Sequence, residues 1–218
     1  MKKRPDASSV NDLGGPADER IIRAARTLVA GGIVAFPTET CYGLAVDPMN
    51  EQALGKLFEV KDRPVDKPVL LLISNVSLLD SLVTHVPDLY LPLIERFWPG
   101  PLTLIFQARP QLSPLVTGGT STVGVRISPH PVAQALGKAF GGAITATSAN
   151  LSGKPPARSA AQIRSLFGET VDVVLDGGMT PASLCSTIVC ECAGRLQLIR
   201  SGVIGLAEFG VAGIPSLY

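Results

Sequence analysis

Charged side chains are scarce in this sequence. Only 17% of its 218 residues are Asp, Glu, Lys or Arg, whereas a typical soluble domain carries about 25%. Nineteen cationic residues nearly balance eighteen anionic ones, so the formal net charge is +1. This balance excludes a wholly disordered chain, which needs high net charge and low hydrophobicity, and it disfavours nucleic-acid binding by bulk charge. Because 46% of the residues are hydrophobic, we expect a sizeable buried core.

Few side chains are suited to binding a transition metal. The only histidines are His85 and His130, and the four cysteines form no C-x-x-C pair. A zinc site is therefore not expected, and both histidines are predicted to be structural. The cysteines are predicted to be small buried thiols in a reducing compartment; they are Cys41, Cys185, Cys190 and Cys192.

Long apolar runs are also missing. No stretch of 18 or more uninterrupted apolar residues occurs, which argues against a membrane-spanning helix. The basic start Met1-Lys2-Lys3-Arg4 is followed by polar residues rather than by the apolar segment of a signal peptide. We therefore expect a cytoplasmic protein with a polar tail over 1–16, one domain over 17–210 and a short tail over 211–218.

Three well-known catalytic motifs are absent. The sequence lacks the phosphate-binding G-x-x-x-x-G-K-[ST], the dinucleotide-binding G-x-G-x-x-G after a strand, and the nucleophile motif G-x-S-x-G. Neither histidine has an evident nucleophile as partner. The sequence therefore favours chemistry by positioning and charge stabilisation rather than by a catalytic triad.

Helical and strand patterns alternate along the chain. Apolar residues recur with helical spacing from Asp18 until Gly31-Gly32, and Ile33-Val34-Ala35-Phe36 then predicts a buried strand. Asn50 is placed to cap a second helix. More helices are predicted at 78–83, 89–97, 131–140 and 159–167, and more strands at 69–73, 102–106, 123–127, 143–147, 171–175, 187–190 and 196–199. This alternation predicts one α/β domain around a large mixed sheet.

Two predicted strands lead into polar loops. Thr38-Glu39-Thr40 follows the strand that ends at Pro37, and Ser148 to Lys154 follow a strand ending at Thr147. Hydroxyl, carboxylate and amide groups at strand ends favour a polar ligand, because α/β sheets bind ligands there. A hairpin turn with solvated side chains and a polar turn that caps the next helix remain the alternatives.

Basic residues are concentrated in two other segments. Lys61, Arg63 and Lys67 lie within seven residues, which suits phosphate but also a solvated run of charges. Arg126 stands in a predicted buried strand, where its charge needs a partner; that partner is an anionic ligand or an internal carboxylate. The glycines and hydroxyls of 117–122, just before it, allow backbone N–H groups to approach a ligand closely.

Seven short motifs between residues 20 and 205 include these segments. They are Pro37-Thr38-Glu39-Thr40-x-Tyr42-Gly43-Leu44, Lys61-x-Arg63-Pro64 with Lys67-Pro68, Phe97-Trp98-Pro99-Gly100-Pro101-Leu102-Thr103, Val125-Arg126, Ser148-Ala149-Asn150-x-Ser152-Gly153, Ser186-Thr187 and Arg200-Ser201-Gly202. In this order and spacing they resemble the YrdC-like family of threonylcarbamoyl-AMP synthases, in its short, single-domain form.

The resemblance implies a fold and a reaction. The fold would be an α/β domain with a twisted, mixed parallel and antiparallel sheet, flanking helices and a concave, positive cavity. L-Threonine, bicarbonate or carbon dioxide, and ATP with Mg²⁺ would give L-threonylcarbamoyl-AMP and pyrophosphate. The product would feed the N6-threonylcarbamoyladenosine modification of tRNA through a downstream threonylcarbamoyl-transferase complex.

The resemblance also implies roles for individual residues. Lys61 and Arg63 would be catalytic, and no protein ligand of a metal is assigned. Threonine would be bound by Thr40, Arg126, the backbone of Ala146, and Ser186. ATP would be bound by Arg63, Lys67, Thr122, Ser148, Asn150 and Arg200. Three positions depart from the family pattern: Lys67 replaces a common Asn, Leu72 replaces a histidine of longer members, and Pro156 replaces a Ser or Thr.

The sequence also bears on two other functions. An RNA-binding module of the same fold, holding tRNA or double-stranded RNA without synthase activity, is the alternative, since net charge does not report where charges lie. A carbamoyl-transfer enzyme of the hydrogenase-maturation type would need additional domains and C-x-x-C pairs, which this sequence lacks.

Overall fold

Six α-helices and ten strands alternate along the chain of the computed structural model, which describes residues 19–181 and 184–209. The helices are α1 (Glu19–Val29), α2 (Glu51–Lys61), α3 (Leu91–Phe97), α4 (Pro114–Thr117), α5 (Pro131–Phe140) and α6 (Ala160–Phe167). The strands are β1 (Val34–Pro37), β2 (Tyr42–Ala45), β3 (Leu71–Leu72), β4 (Leu102–Gln107), β5 (Thr122–Arg126), β6 (Ile144–Thr145), β7 (Thr147–Ser148), β8 (Val173–Val174), β9 (Thr187–Cys192) and β10 (Arg195–Arg200). The predicted tails 1–16 and 211–218 lie outside the described residues.

The strands form two mixed sheets. One has the order β7-β2-β1-β8 and the other β10-β9-β4-β5-β3-β6, and both contain parallel and antiparallel pairs. This confirms a mixed α/β fold, but the single large sheet expected from the sequence is divided in two. The division falls in the strand predicted at 143–147. There the Thr145 N–H donates to Val46 O (3.1 Å) and the Ala146 N–H to Leu70 O (2.8 Å), so the backbone changes partners.

Local signals explain where the first two helices begin and end. In α1 the residues Ile21, Ala25 and Leu28 are buried on one face, as the helical spacing predicted, and Ala24 is buried with them; Val29, which the spacing also placed there, is exposed. Gly31 follows with a φ of +80°, a conformation that glycine adopts at little cost. The Asn50 side chain accepts a hydrogen bond from Ala53 N (3.1 Å), which confirms the predicted cap of α2.

Other predicted elements differ in detail. The helix predicted at 78–83 is a 3-10 helix, Val76–Ser81, and the strand predicted at 69–73 is reduced to β3. Strand β2 was not recognised because Gly43, a poor strand residue, interrupts its pattern. A side chain there would be crowded, since a Cβ would lie 3.2 Å from the Phe36 ring across the hairpin.

Two clusters of buried apolar residues form the core, and strand pairing places polar residues beside it. A large cluster of buried apolar residues lies within the fold, and a second fills the space between α1, α5 and strand β1. Strand β3 pairs in parallel with β5, so Leu72 lies beside Arg126, and β9 pairs in parallel with β4, so Thr187 lies beside Leu102. Within the described ranges, no helix is long and apolar enough to cross a membrane.

Candidate functional site

The turn between β1 and β2 is a buried network of hydroxyls. The Thr38 hydroxyl lies 2.9 Å from that of Thr40 and donates to Cys41 O (2.7 Å), while the backbone N–H groups of Thr40 and Cys41 donate back to it at 3.2 Å. Both threonines are only 2% exposed. The turn is therefore a hairpin, which was the alternative to a ligand-binding loop, but its two threonine side chains are buried rather than solvated.

Glu39, in the same turn, pairs with Arg126 at the end of β5. One carboxylate oxygen accepts from Arg126 Nη1, and the other accepts from the hydroxyl of Ser128. Arg126 and Ser128 are buried, and the Glu39 side chain is 17% exposed. The internal carboxylate that the sequence left open as a partner of Arg126 is thus Glu39.

A second cation lies where β9 begins and β10 ends. The Arg200 guanidinium donates to Ser186 O (2.8 Å) and to the Ser186 hydroxyl (3.2 Å). That hydroxyl is 2.8 Å from the hydroxyl of Thr103 on β4. Ser186 is buried and Arg200 exposed, so the guanidinium lies at the surface of the site and is anchored to its base.

Lys61 connects the end of α2 to the polar loop after β7. It is 2% exposed, and its ammonium donates to Ser148 O, to Asn150 O (2.7 Å) and, at 3.5 Å, to Asn150 Oδ1. In return, Lys61 O accepts from Ser152 N (3.0 Å). None of these acceptors is a carboxylate, so the hydrogen bonds to this buried ammonium come from carbonyl oxygens.

The environment of Lys61 disfavours its charged form. Burial, and then the neighbouring charge of Arg63, lower the pKa of Lys61 from 10.5 to about 8. Burial also lowers the pKa of Arg63. A buried lysine with a pKa close to physiological pH is unusual outside functional sites.

Asn150 organises the loop that Lys61 binds. The Ser148 hydroxyl donates to Asn150 Oδ1 (2.6 Å), and Asn150 Nδ2 donates to Leu151 O (2.9 Å) and Lys154 O (2.6 Å). The loop is thus a closed set of polar contacts, which explains its content of amides and hydroxyls. The cap of α6 is provided instead by Ser159, which accepts from Gln162 N (3.3 Å).

Arg63, Lys67 and Thr122 belong to a neighbouring region. Arg63 Nη2 donates to Pro68 O (2.8 Å), which closes the 63–68 loop on itself, while Lys67 is exposed. This loop packs against the turn at Gly118, where a Cβ would lie 2.6 Å from Asp66 O. Thr122 begins β5 and Arg126 ends it, about 13 Å apart at 3.3 Å per residue. The 63–68 loop, called the cationic loop below, and Arg126 therefore lie in two different parts of an extended site.

Two cysteines lie among these groups. Cys41 interacts electrostatically with both Lys61 and Arg126, and Cys185 with both Arg200 and Arg126. The hairpin turn, the end of α2, the end of β5 and the segment before β9 therefore converge.

The sequence missed several members of this site. Ser128 was not recognised, and the cysteines were predicted to be buried thiols without a role. Cys41 is buried, but Cys185 and Cys190 are partly exposed and Cys192 is exposed, so that prediction was wrong for three of the four. The predicted structural role of His130 is supported, since its Nδ1 accepts from Val132 N (3.2 Å) at the start of α5.

Comparison with known proteins identifies related chains. A family model covering Sua5, YciO and YrdC, described as "Telomere recombination", matches residues 26–202. A protein of Bacillus subtilis named threonylcarbamoyl-AMP synthase is 40% identical over 206 residues, and the alignment covers 94% of this chain and 59% of that protein. A protein of Idiomarina loihiensis with the same name is 42% identical over 158 residues, covering 70% of this chain and 83% of its own length.

A solved structure has the same fold. The crystal structure of Sua5 from Pyrococcus abyssi, complexed with L-threonine, superposes with a TM-score of 0.86 at 34% identity. The match covers 98% of this chain but 60% of that one. The chain thus spans about three fifths of the Bacillus and Pyrococcus relatives.

Proposed function

We propose, on the premise that this chain belongs to the Sua5–YciO–YrdC family, that it is an L-threonylcarbamoyl-AMP synthase. It would convert L-threonine, bicarbonate or carbon dioxide, and ATP into L-threonylcarbamoyl-AMP and pyrophosphate. The observation that carries the proposal is a set of three cations held by polar residues of the matched motifs. Arg126 pairs with Glu39 of the hairpin turn, Arg200 donates to Ser186, and Lys61 donates to the loop of Ser148 and Asn150. The named relatives and the threonine-bound neighbour support the same activity.

Threonine would bind at the end of β5. Arg126 has five N–H donors, and Glu39 engages only Nη1, so a second carboxylate can be accommodated beside Glu39. Arg200 supplies the second positive charge, and together the two cations balance the two carboxylates. The Ser186 hydroxyl accepts from Arg200, and the Thr40 hydroxyl lies in the same turn as Glu39, the partner of Arg126. Because the Ala146 N–H is taken by Leu70 O, its carbonyl is the backbone group left for the substrate.

The phosphates of ATP would bind toward the cationic loop. Arg63 and Lys67 supply positive charge, Thr122 a hydroxyl, and the loop of Ser148 and Asn150 further polar groups. The threonine amine adds carbon dioxide to form a carbamate. A carbamate oxygen then attacks the α-phosphorus, and pyrophosphate leaves with the electrons of the broken P–O bond. Fixed cations stabilise the charge that develops on the phosphate oxygens.

Lys61 would act mainly through the loop it holds. In the structure its ammonium donates to the carbonyls of Ser148 and Asn150, so it positions the polar loop. It also places a positive charge beside the nucleotide. Both contributions require the lysine to be present, and the second requires it to be protonated.

Magnesium would accompany the nucleotide. Among the described residues no group of three or more His, Cys, Asp or Glu side chains could hold a metal ion, so this part of the chain offers no carboxylate cage. Mg²⁺ commonly binds through substrate phosphates and water, and we assign it no protein ligand and no step.

The proposed product defines the partners. Threonylcarbamoyl-AMP is an activated carbamate for transfer to tRNA by a downstream threonylcarbamoyl-transferase complex in the cytoplasm. Direct binding of tRNA or double-stranded RNA is the alternative activity, and the net charge of +1 does not favour it.

The decisive assay is pyrophosphate release. Purified protein incubated with ATP, bicarbonate and labelled threonine is expected to release pyrophosphate only when threonine is present, with equal amounts of labelled threonylcarbamoyl-AMP. Allothreonine or serine in place of threonine measures the selectivity of the pocket. Pyrophosphate release that is independent of threonine, or tight salt-sensitive tRNA binding without synthesis, would contradict the proposal.

Titration of Lys61 is expected to affect activity and stability in opposite directions. The folded pKa of about 8 lies below the ordinary value of 10.5, so the unfolded chain binds more protons than the folded one between these pH values. The contribution of Lys61 to the free energy of unfolding therefore rises from pH 8 to 10.5. Over the same range kcat/KM for ATP falls, because the free enzyme loses a positive charge.

Chemical denaturation of wild type and Lys61→Met at several pH values measures the first effect. The free energy of unfolding of wild type should increase relative to that of Lys61→Met as the pH rises from about 8 to 10.5. An unchanged difference between the two proteins would place the alkaline loss of activity on another group.

A further inference from the structure

Residues 176–180, which follow β8, lie beside the turn between β1 and β2. Ahead of them, the Leu175 N–H donates to Ala35 O on β1 (2.9 Å). At their far end, the Thr180 N–H donates to Arg158 O (2.9 Å), and Arg158 Nε donates back to Thr180 O (3.2 Å). The 176–180 segment is therefore held at both ends by contacts with the rest of the fold.

Tyr42 holds the middle of this segment. Its hydroxyl donates to Gly178 O (2.8 Å) and accepts from the Gly177 N–H (3.3 Å). Tyr42 is fully buried, whereas both glycines are exposed. Because the backbone groups of the glycines can also reach water, loss of the hydroxyl would release the segment rather than leave polar groups buried without partners.

The same segment packs against two elements of the proposed threonine site. A Cβ added at Gly177 would lie 2.6 Å from Pro37 Cγ and 3.0 Å from His130 Cε1, so the backbone there is in close contact with both. Pro37 directly precedes the hairpin turn. The His130 N–H donates to the Ser128 hydroxyl (3.2 Å), and that hydroxyl donates to Glu39. The 176–180 segment thus supports both the hairpin turn and the residues around the end of β5.

We propose that Tyr42 is a positioning residue for the threonine site, whose hydroxyl holds the 176–180 segment against Pro37 and His130 and thereby fixes the Arg126–Glu39 pair. The link to threonine rests on the proposed function, whereas the link between Tyr42 and the hairpin turn does not.

The nucleotide side of the site is connected to Tyr42 in another way. Tyr42 O accepts from the Ala149 N–H (2.8 Å), and the Tyr42 N–H donates to Ala157 O (3.2 Å). These bonds attach the loop after β7 to the backbone of Tyr42, so they do not depend on its hydroxyl. Removing the hydroxyl should therefore affect threonine and spare ATP.

Tyr42→Phe tests this separation of the two substrates. The KM for threonine should rise on the order of tenfold, because the groups that bind it are displaced, and the KM for ATP should stay within about twofold. Pyrophosphate release with each substrate varied in turn measures both. An equal rise in the two KM values, or no change in either, would overturn the positioning role.

Tyr90→Phe is the matched control. Tyr90 is also fully buried, and its hydroxyl also bridges two backbone groups, donating to Ile105 O (2.7 Å) and accepting from the Glu191 N–H (2.6 Å). Both variants should lower the melting temperature, but only Tyr42→Phe should raise the KM for threonine. A similar rise in Tyr90→Phe would make the effect one of general stability and overturn the proposal.

Gly177→Ala disturbs the same contact from the other side. Its Cβ should push the segment away from Pro37 and His130 while the Tyr42 hydroxyl remains, so the KM for threonine should again rise. Met179 belongs to the same segment but is 74% exposed, so Met179→Ala should keep both KM values within about twofold. An unchanged KM for threonine in Gly177→Ala would contradict the proposal.

Amide hydrogen exchange tests the physical link without any substrate. Compared with wild type, Tyr42→Phe should exchange faster in peptides covering 175–180 and also in those covering 38–41 and 126–130. Faster exchange confined to 175–180 would show that the segment does not hold the site and would overturn the proposal. If wild type released no pyrophosphate with threonine, the proposed function would fail, while the exchange pattern would still decide whether Tyr42 positions the turn.

Discussion

Replacing Arg126 by Gln is expected to reduce kcat/KM for threonine by on the order of 10²–10³. The substitution removes the buried cation proposed to bind the threonine carboxylate, while the glutamine can still donate to Glu39. The KM for threonine should rise far more than the KM for ATP, since the cationic loop lies at the other part of the site. Steady-state pyrophosphate release with each substrate varied in turn measures both.

The free energy of unfolding distinguishes a threonine-binding role of Arg126 from a purely structural one. Arg126→Gln leaves the Glu39 carboxylate without its cation, which should cost about 1–3 kcal/mol in the free energy of unfolding. In the double variant Arg126→Gln with Glu39→Gln, two neutral amides face each other and much of that stability should return. Activity should not return with it. Recovery of both would show that Arg126 serves only as half of an internal ion pair.

Lys61→Met is expected to lower kcat/KM for ATP by a similar factor, on the order of 10²–10³. Methionine is unbranched and fills part of the buried volume, but it leaves the carbonyls of Ser148 and Asn150 without their donor. The polar loop would then lose the contacts that hold it beside the nucleotide. Pyrophosphate release at varied ATP concentration measures the loss.

A matched control lies on the same helix. Lys56 is exposed on α2, so Lys56→Met removes the same charge without disturbing the loop and should retain activity within about twofold, as for a typical surface change. Similar losses in both variants would mean that Lys61 contributes only general positive charge. Loss of stability alone in Lys61→Met, with normal kcat/KM, would make it a structural residue.

Local patterns in the sequence predicted local structure. The spacing of apolar residues in α1 and the capping role of Asn50 depend on residues within one or two helical turns, and the structure confirms both. The mixed α/β fold also followed from the alternation of elements. The prediction of a single sheet was wrong. The backbone near Ala146 changes hydrogen-bond partners between Val46 and Leu70, and these residues are too distant in sequence for a local pattern to reveal the change.

The site was predictable in its residue types rather than in its contacts. The need of Arg126 for an anion could be read from its buried neighbours, but Glu39 lies 87 positions away and only the fold brings the two together. The position of Lys61 near Arg63 suggested phosphate, whereas its three hydrogen bonds lead to the loop after β7.

The segment that passes from one sheet to the other also sets a distance between the two substrates. Ala146, proposed to face threonine, and Ser148, proposed to face ATP, are two residues apart in an extended backbone, or about 7 Å. Thr145 and Ala146 are hydrogen-bonded to Val46 and Leu70, and Ser148 pairs with Gly43 in β2. The separation between the amino acid and the nucleotide is therefore fixed by covalent geometry and backbone hydrogen bonds. Side chains around it can change without altering the reach of the carbamate to the α-phosphorus.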